Sequence, residues 1–247
     1  MDKIEELTIK NNDDEHKIIR IDSCDVTGIQ RNKVEELIKK YCSANKEQIV
    51  DLIREVILSI SPENGRMPEK RIFVPLIQQL AYNMDDDYLR ETFQKLLKSS
   101  MSKDKNVHPS FVSILSQLNS DEIKILNKLP PVLANNIPLI NIRMKHGANK
   151  GDGMTIVSNF TDIGYGVCEH PERVCFYIEN LERLKLIQIP PFKTLIDKTV
   201  YRRLKEHPAI LNTINETVNN IPGVSFEFDE RLFSLTQFGL DFILSCK

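Results

Sequence analysis

Between Asn32 and Leu129 the apolar residues return every three or four positions, and each stripe is cut short by a polar or proline-bearing stretch. That period belongs to amphipathic α-helices, and the interruptions keep each helix short. Val34, Leu37, Ile38 and Tyr41 form the first stripe, behind Asn32 as its cap. Ile49, Leu52, Ile53, Val56, Ile57 and Ile60 form the second, which follows Asn45 and stops at "SPENGRMP". There Pro62, Gly65 and Pro68 forbid continuation. The third segment, "EKRIFVPLIQQLAYNM", sets Phe73, Ile77, Leu80 and Met84 on one face. Pro75 has no amide hydrogen to donate, so it is expected in the first turn or at a kink. Asp85, Asp86 and Asp87 open the fourth, ahead of Leu89, Phe93, Leu96, Leu97 and Ser100. One aspartate caps that helix and the others favour the positive end of its dipole.

The stretch "NVHPSFVSILSQLNSDEIKIL" carries two start signals in succession. Pro109 suits a first helical position, which leaves His108 or the residue before it at the cap, with Phe111, Ile114, Leu115 and Leu118 on one face. Asn119 caps the next helix, with Glu122 at capping-box spacing and Ile123, Ile125, Leu126 and Leu129 following. A catalytic histidine needs a nucleophile or an orienting acid within reach, so His108 reads as helix punctuation. The aspartate triplet has the chemistry to hold a divalent cation, but at a helix start it reads as a cap and a solvated face.

After "LPPVLANNIP" the period is lost, and residues 130–170 yield no element assignment. "KHGANKGDG" looks superficially like a phosphate cradle, but "GDGMT" lacks the lysine of a P-loop and reads as a loop. Pro171 then starts a helix carrying Val174, Ile178, Leu181 and Leu184, and "LIQIP" alternates as a strand leaving it. "GVSFEFDERLFSLT" alternates too, with Phe226 and Phe228 on one side and Leu232 in or near a partner strand. "TQFGLDFILSC" closes the chain as a helix capped by Thr236. Helix, strand, long excursion, strand, helix is the pattern of a winged helix. The fold expected is mainly α: a flexible arm over 1–30, a helical domain over 31–118, and a winged-helix-like α+β module over 119–247 with an elaborated wing at 191–225.

Composition narrows the function classes. A formal charge of −2 over 247 residues supplies no global field toward nucleic acid or anionic lipid. No apolar run spans a bilayer and the N-terminus has no signal-peptide pattern, so the chain reads as cytoplasmic. Five cysteines at 24, 42, 168, 175 and 246 are odd in number and scattered, which suits free thiols in a reducing compartment. "CEHPERVC" offers Cys168, His170 and Cys175, but zinc sites pair cysteines more closely and need a fourth ligand. No cofactor or metal is expected.

A DNA-reading helix is normally basic. Residues 171–185 balance Arg173, Arg183 and Lys185 against three glutamates, whereas the wing over 191–206 has an excess of three cations. Lys198, Arg202, Arg203 and Lys205 are its candidate nucleic-acid contacts, and a neutral helix with a modestly basic wing would hold DNA weakly. If "TVYRRLKEHPAILNTINETV" is helical, those cations lie on a solvated face without partners. Contact with a protein is the favoured role of the module.

The run from "PEKRIFVPLIQQLAYNM" through "DDDYLRETFQKLLKSSM" and "VHPSFVSILSQL" to "SDEIKIL" resembles the abortive infection alpha family of bacterial and prophage proteins. The likeness is close over 69–129 and looser over 171–246, where "YIENLERLKLIQI" and "FSLTQFGLDFI" carry it. It implies a role in phage defence, in which an infected cell is stopped before phage spread. It brings no catalytic residue with it; its matching positions are His108, Pro109, Ser110 and Phe111. The readings are therefore a defence protein acting by protein–protein contact, a winged-helix DNA-binding regulator, or a nuclease-type toxin whose candidates are Asp85–Asp87 and His108.

Overall fold

The computed structural model describes residues 31–41, 45–133, 135–146 and 153–247. The arm read over 1–30, Cys24, Cys42 and the centre of the glycine-rich stretch lie outside these residues.

Six helices occupy the first half: α1 (Arg31–Tyr41), α2 (Lys46–Leu58), α3 (Lys70–Tyr82), α4 (Asp87–Ser100), α5 (Ser110–Leu115) and α6 (Ser120–Lys128). Asn32 lies inside the first turn of α1 and does not precede it. Asn45 starts α2 at a left-handed φ of 52°, and its side chain donates to the Ala81 carbonyl at 3.1 Å, tying α2 to α3 instead of capping it. Pro75 stands past the first turn, within α3, where it withholds the donor that the Arg71 carbonyl would otherwise receive. The caps of α4 and α6 are as the sequence indicates. Asp86 accepts from the Leu89 amide at 3.0 Å, and Asn119 and Glu122 form a reciprocal capping box.

Residues 130–170, where no element was legible, contain β1 (Ile137–His146) and β2 (Gly153–Phe160), paired antiparallel. Two causes hid them. Leu139 and Ile140 are buried on successive positions, which erases the two-residue period, and the register shifts between Ile140 and Arg143. A single 3-10 turn at Pro171–Arg173 leads into α7 (Val174–Arg183), followed by β3 (Ile187–Gln188), α8 (Thr199–Lys205), α9 (Pro208–Asn220), β4 (Val224–Leu235) and α10 (Gln237–Ser245). The sheet order is β2-β1-β4-β3 with every pair antiparallel. Leu232 lies in the same continuous strand as Phe226 and Phe228, and no turn separates them. β4 pairs along its length with β1 and uses only its C-terminal end for β3.

The chain is mainly helical, with ten α-helices and four strands among the described residues. Apolar residues from Val34 to Cys246 join one buried cluster, in which Phe73, Phe93, Phe233 and Phe242 are fully enclosed. The C-terminal helix α10 packs on α4, and α6 packs on α7, so the two halves share core. A closer approach is made by α10 to the residue ahead of β3, where Gly239 permits it: a Cβ there would collide with the Leu186 carbonyl. No helix among the described residues is long and apolar enough to cross a membrane.

Candidate functional site

The "HPSF" residues sit where α5 meets α10. The Ser110 amide donates to His108 Nδ1 at 3.2 Å and the Ser110 hydroxyl lies 2.6 Å from the same nitrogen, while the Phe111 amide donates to the His108 carbonyl. An amide donor at Nδ1 requires the lone pair there, so the imidazole serves the open amide end of α5. Its ring lies 5.9 Å from Phe111 and 6.1 Å from Phe238, and Phe111 contacts Phe238 and Phe242 edge-on. Beside it opens a cleft of about 700 Å³, lined by Val107, Pro109, Phe111, Phe238 and Leu244. Asp241, Lys105 and the Glu69–Arg71 ion pair also border it. Nε2 of His108 has no hydrogen-bond partner among the described residues.

The aspartate triplet lines a separate cleft of about 530 Å³ with Tyr82, Ser120, Lys124 and Glu169. His108 and Asp85–Asp87 therefore do not converge. Asp86 uses its second oxygen on the Ser120 hydroxyl at 2.5 Å, and Asp87 pairs with Arg90. Burial pushes the Asp86 carboxyl up, but the Ser120 hydroxyl, the Leu89 and Tyr88 amides and the nearby Lys124 charge outweigh it and bring it below its usual range.

Asp121 is the most heavily bonded acid nearby. Its carboxylate accepts from the Glu169 and His170 amides at 2.8 Å each, from Lys124 Nζ at 2.9 Å and from the Tyr177 hydroxyl at 3.1 Å. Burial raises its pKa, yet the two amides and Lys124 bring it down to about 2. The neighbouring Glu122 moves the other way, raised chiefly by burial although Asn119 and Asn180 donate to it. Cys168 donates to the Asp121 carbonyl, and burial lifts the Cys168 and Cys175 thiols to about 11, so neither is a ready thiolate. His170 instead faces Glu172 at 3.3 Å. Among the described residues no three His, Cys, Asp or Glu side chains gather as a metal site.

The cations expected in a wing do have partners. Lys198 and Lys205 both reach Glu230, at 2.7 and 2.8 Å, and Arg203 meets Asp162 at 2.8 Å. This corrects the expectation of an unpartnered solvated face: α8 lies against β1, and Glu230 stands in β4, the strand paired with β1. Of the four, only Arg202 remains exposed without an ion pair among the described residues. The loop before α8 holds Phe192 and Ile196 at 103% and 99% exposure. It is nevertheless pinned. The Leu195 amide donates to the Tyr201 hydroxyl at 2.8 Å, which donates to the Arg231 carbonyl at 2.9 Å, and Asp197 accepts from the Thr199 amide.

The sequence profile described as abortive infection alpha matches residues 42–246, spanning the cleft at His108, the Asp121 hub and the cations of α8 alike. The chain belongs to the abortive infection alpha family. No curated protein matches it. Among solved structures it is similar to an uncharacterized protein from the hydrocarbon-degrading marine bacterium Alcanivorax borkumensis SK2, at 13% identity and a TM-score of 0.38. That similarity covers 57% of this chain and 98% of the other.

In this member of the abortive infection alpha family, sequence reasoning missed Asp121, Glu230 and the Phe192–Ile196 tip. Asp121 lies inside a capping box, in a first helical turn where an acid is ordinary, and nothing local announces that it is buried. Glu230 lies 25 and 32 positions from its two lysines. "PPFKTLID" has no period from which exposure could be read.

Proposed function

We propose that the protein is a phage-defence protein of the abortive-infection kind that acts through contact with a phage or host protein in the bacterial cytoplasm. Membership of the abortive infection alpha family carries the defence role. The pairing of Lys198, Arg203 and Lys205 with Glu230 and Asp162 supports a protein partner over a DNA phosphate backbone, because each pair spends a cation that phosphate binding needs. In this reading 31–118 serves as a helical domain and 119–247 as a winged-helix-like module. The run α7, β3, two helices, β4, α10 supports the latter, with α8 and α9 in place of a simple wing.

The test is expression in a phage-sensitive host, challenge with a phage panel and sequencing of escape phage. Protection, with escape changes concentrated in one phage protein, is expected, and the variant Arg202→Ala/Arg203→Ala should protect like the wild type. Loss of protection in that variant, together with salt-dependent duplex binding by the wild type, would replace this reading with a DNA-binding regulator. Protection against no phage would remove the defence role.

A further inference from the structure

Resting on the protein-contact reading, we propose that the open edge of β4 between Val224 and Glu230 takes up an extended, basic segment of the partner protein. That segment adds to the sheet as a further strand and continues the line of β3.

On one side β4 pairs with β1 all the way from Val224 to Phe233, but on the other it pairs with β3 only at Ser234 and Leu235. Successive residues of a strand turn their amides and carbonyls to opposite sides, so every second residue here points those groups away from β1. Between Val224 and Glu230 they meet no backbone partner on the β3 side among the described residues. The Tyr201 hydroxyl closes the inner end of this edge, where it donates to the Arg231 carbonyl. Ser225, Glu227 and Asp229 are exposed, so the edge is open to solvent. A row of unpaired N–H and C=O groups binds an extended chain by main-chain hydrogen bonds, and alternate side chains set the specificity.

The side chains narrow the occupant. Phe226 and Phe228, half-buried, lie on one face of β4, and Ser225, Glu227 and Asp229 on the other. Glu227, Asp229 and Glu230 are the charged residues of the stretch, all of one sign. A second copy fits poorly, because antiparallel self-pairing about Phe228 sets Glu227 against Asp229. Lys145 already answers Glu227, and Lys198 and Lys205 answer Glu230. Asp229 accepts from the Asn141 side chain and meets no cation among the described residues. The segment that fits therefore sets a lysine or arginine against Asp229 and apolar residues over Phe226 and Phe228. Phe192 and Ile196 lengthen the apolar side, since their loop is tied to β4 at Arg231 through Leu195 and Tyr201.

The probe is a blocked peptide of alternating isoleucine and lysine, about eight residues long, titrated into isotope-labelled full-length protein and followed by NMR. Amide signals of Val224–Glu230 should shift, with a Kd on the order of 100 μM. A depsipeptide with the same side chains, its esters replacing the N–H donors, should bind at least about tenfold more weakly. Asp229→Lys, an exposed change, should weaken the peptide about tenfold, and Phe192→Ser/Ile196→Ser should weaken it less. Shifts confined to other residues, or a depsipeptide that binds as well as the peptide, overturn the proposal. So do edge amides that exchange in the free protein as slowly as those bonded to β1, because the edge is then already covered. Sedimentation that grows with concentration and is abolished by Asp229→Lys would overturn it too, and assign the edge to a second copy. No phage enters these measurements: failure of peptide binding removes the edge and leaves the defence reading standing, whereas a peptide that binds where phage protection fails supports the edge and removes the defence role.

Discussion

Tyr177 and Asp121, 56 positions apart, meet through a hydrogen bond of 3.1 Å in which the phenol donates to the carboxylate. Both are buried, and with the Glu169 and His170 amides the bond fastens α6 to the start of α7. The same contact, after burial itself, pushes the Tyr177 phenol up to about 12, since losing its proton would set two anions together.

Asp121 should therefore make stability depend on acid. Its folded pKa of about 2 lies below the ordinary 3.8, so the stabilisation is fully present above the unfolded value and is lost as pH falls through about 4 toward 2. Linkage puts its size at about 2 kcal/mol. Asp121→Asn cannot satisfy two amides, a lysine and a phenol together, and should lower stability by about 3 kcal/mol at pH 7. Urea unfolding at a series of pH values checks both statements. The gap between variant and wild type should narrow toward pH 3, and a gap constant with pH would refute the electrostatic account.

Gly239→Ala should be among the most disruptive single changes in the chain. The added methyl meets the Leu186 carbonyl, a backbone atom that cannot rotate aside, where α10 approaches the lead-in to β3. The Thr236 amide and hydroxyl both use Leu186 nearby, so the strain cannot relax without loosening that cap. A loss of about 3 kcal/mol is expected, visible as a lowered urea midpoint or as insoluble protein. Ala at the exposed Gly223, whose position has open space, should cost less even though its φ of 81° disfavours any side chain.

How legible each part was depends on whether its signal is local. The caps at Asn119 and Thr236, and a cap somewhere within Asp85–Asp87, were readable because a cap and its amides lie within three residues. The stripe of α4 was readable because the same side faces the core throughout. β1 was not, because burial on both faces near Leu139 and Ile140 leaves no alternation to see. The neutralisation of Lys198 and Lys205 was invisible for a different reason. Glu230 looks like one more alternating residue of β4 until the fold brings Lys198 and Lys205 to it. Candidate sites suffered most, because ion pairs and clefts are made by residues far apart in the chain.

Glu230 should govern what the surface bearing Lys198 and Lys205 can hold. With Lys198 and Lys205 bound to it, and its own pKa lowered first by Lys198 and then by Lys205, the wild type should show only weak duplex binding at physiological salt, with a Kd above about 10 μM. Glu230→Gln frees two cations. It should raise duplex affinity and steepen the salt dependence by about two counterions. Fluorescence anisotropy across a salt series measures this, and an unchanged slope would show that those lysines face away from any duplex.

His108 should act through geometry and not through proton transfer. His108→Ala removes the acceptor at the start of α5 and the ring set against Phe111 and Phe238, for a loss of about 1 kcal/mol in urea unfolding. His108→Asn replaces it with a strong capping residue that has no acid–base chemistry near neutral pH, and should recover most of that stability. Phage protection then separates the two roles. If the imidazole only orders the turn, the Asn variant protects as the wild type does and the Ala variant falls in step with its stability. Protection lost in a stable Asn variant would mean that His108 contacts a ligand in the α5–α10 cleft.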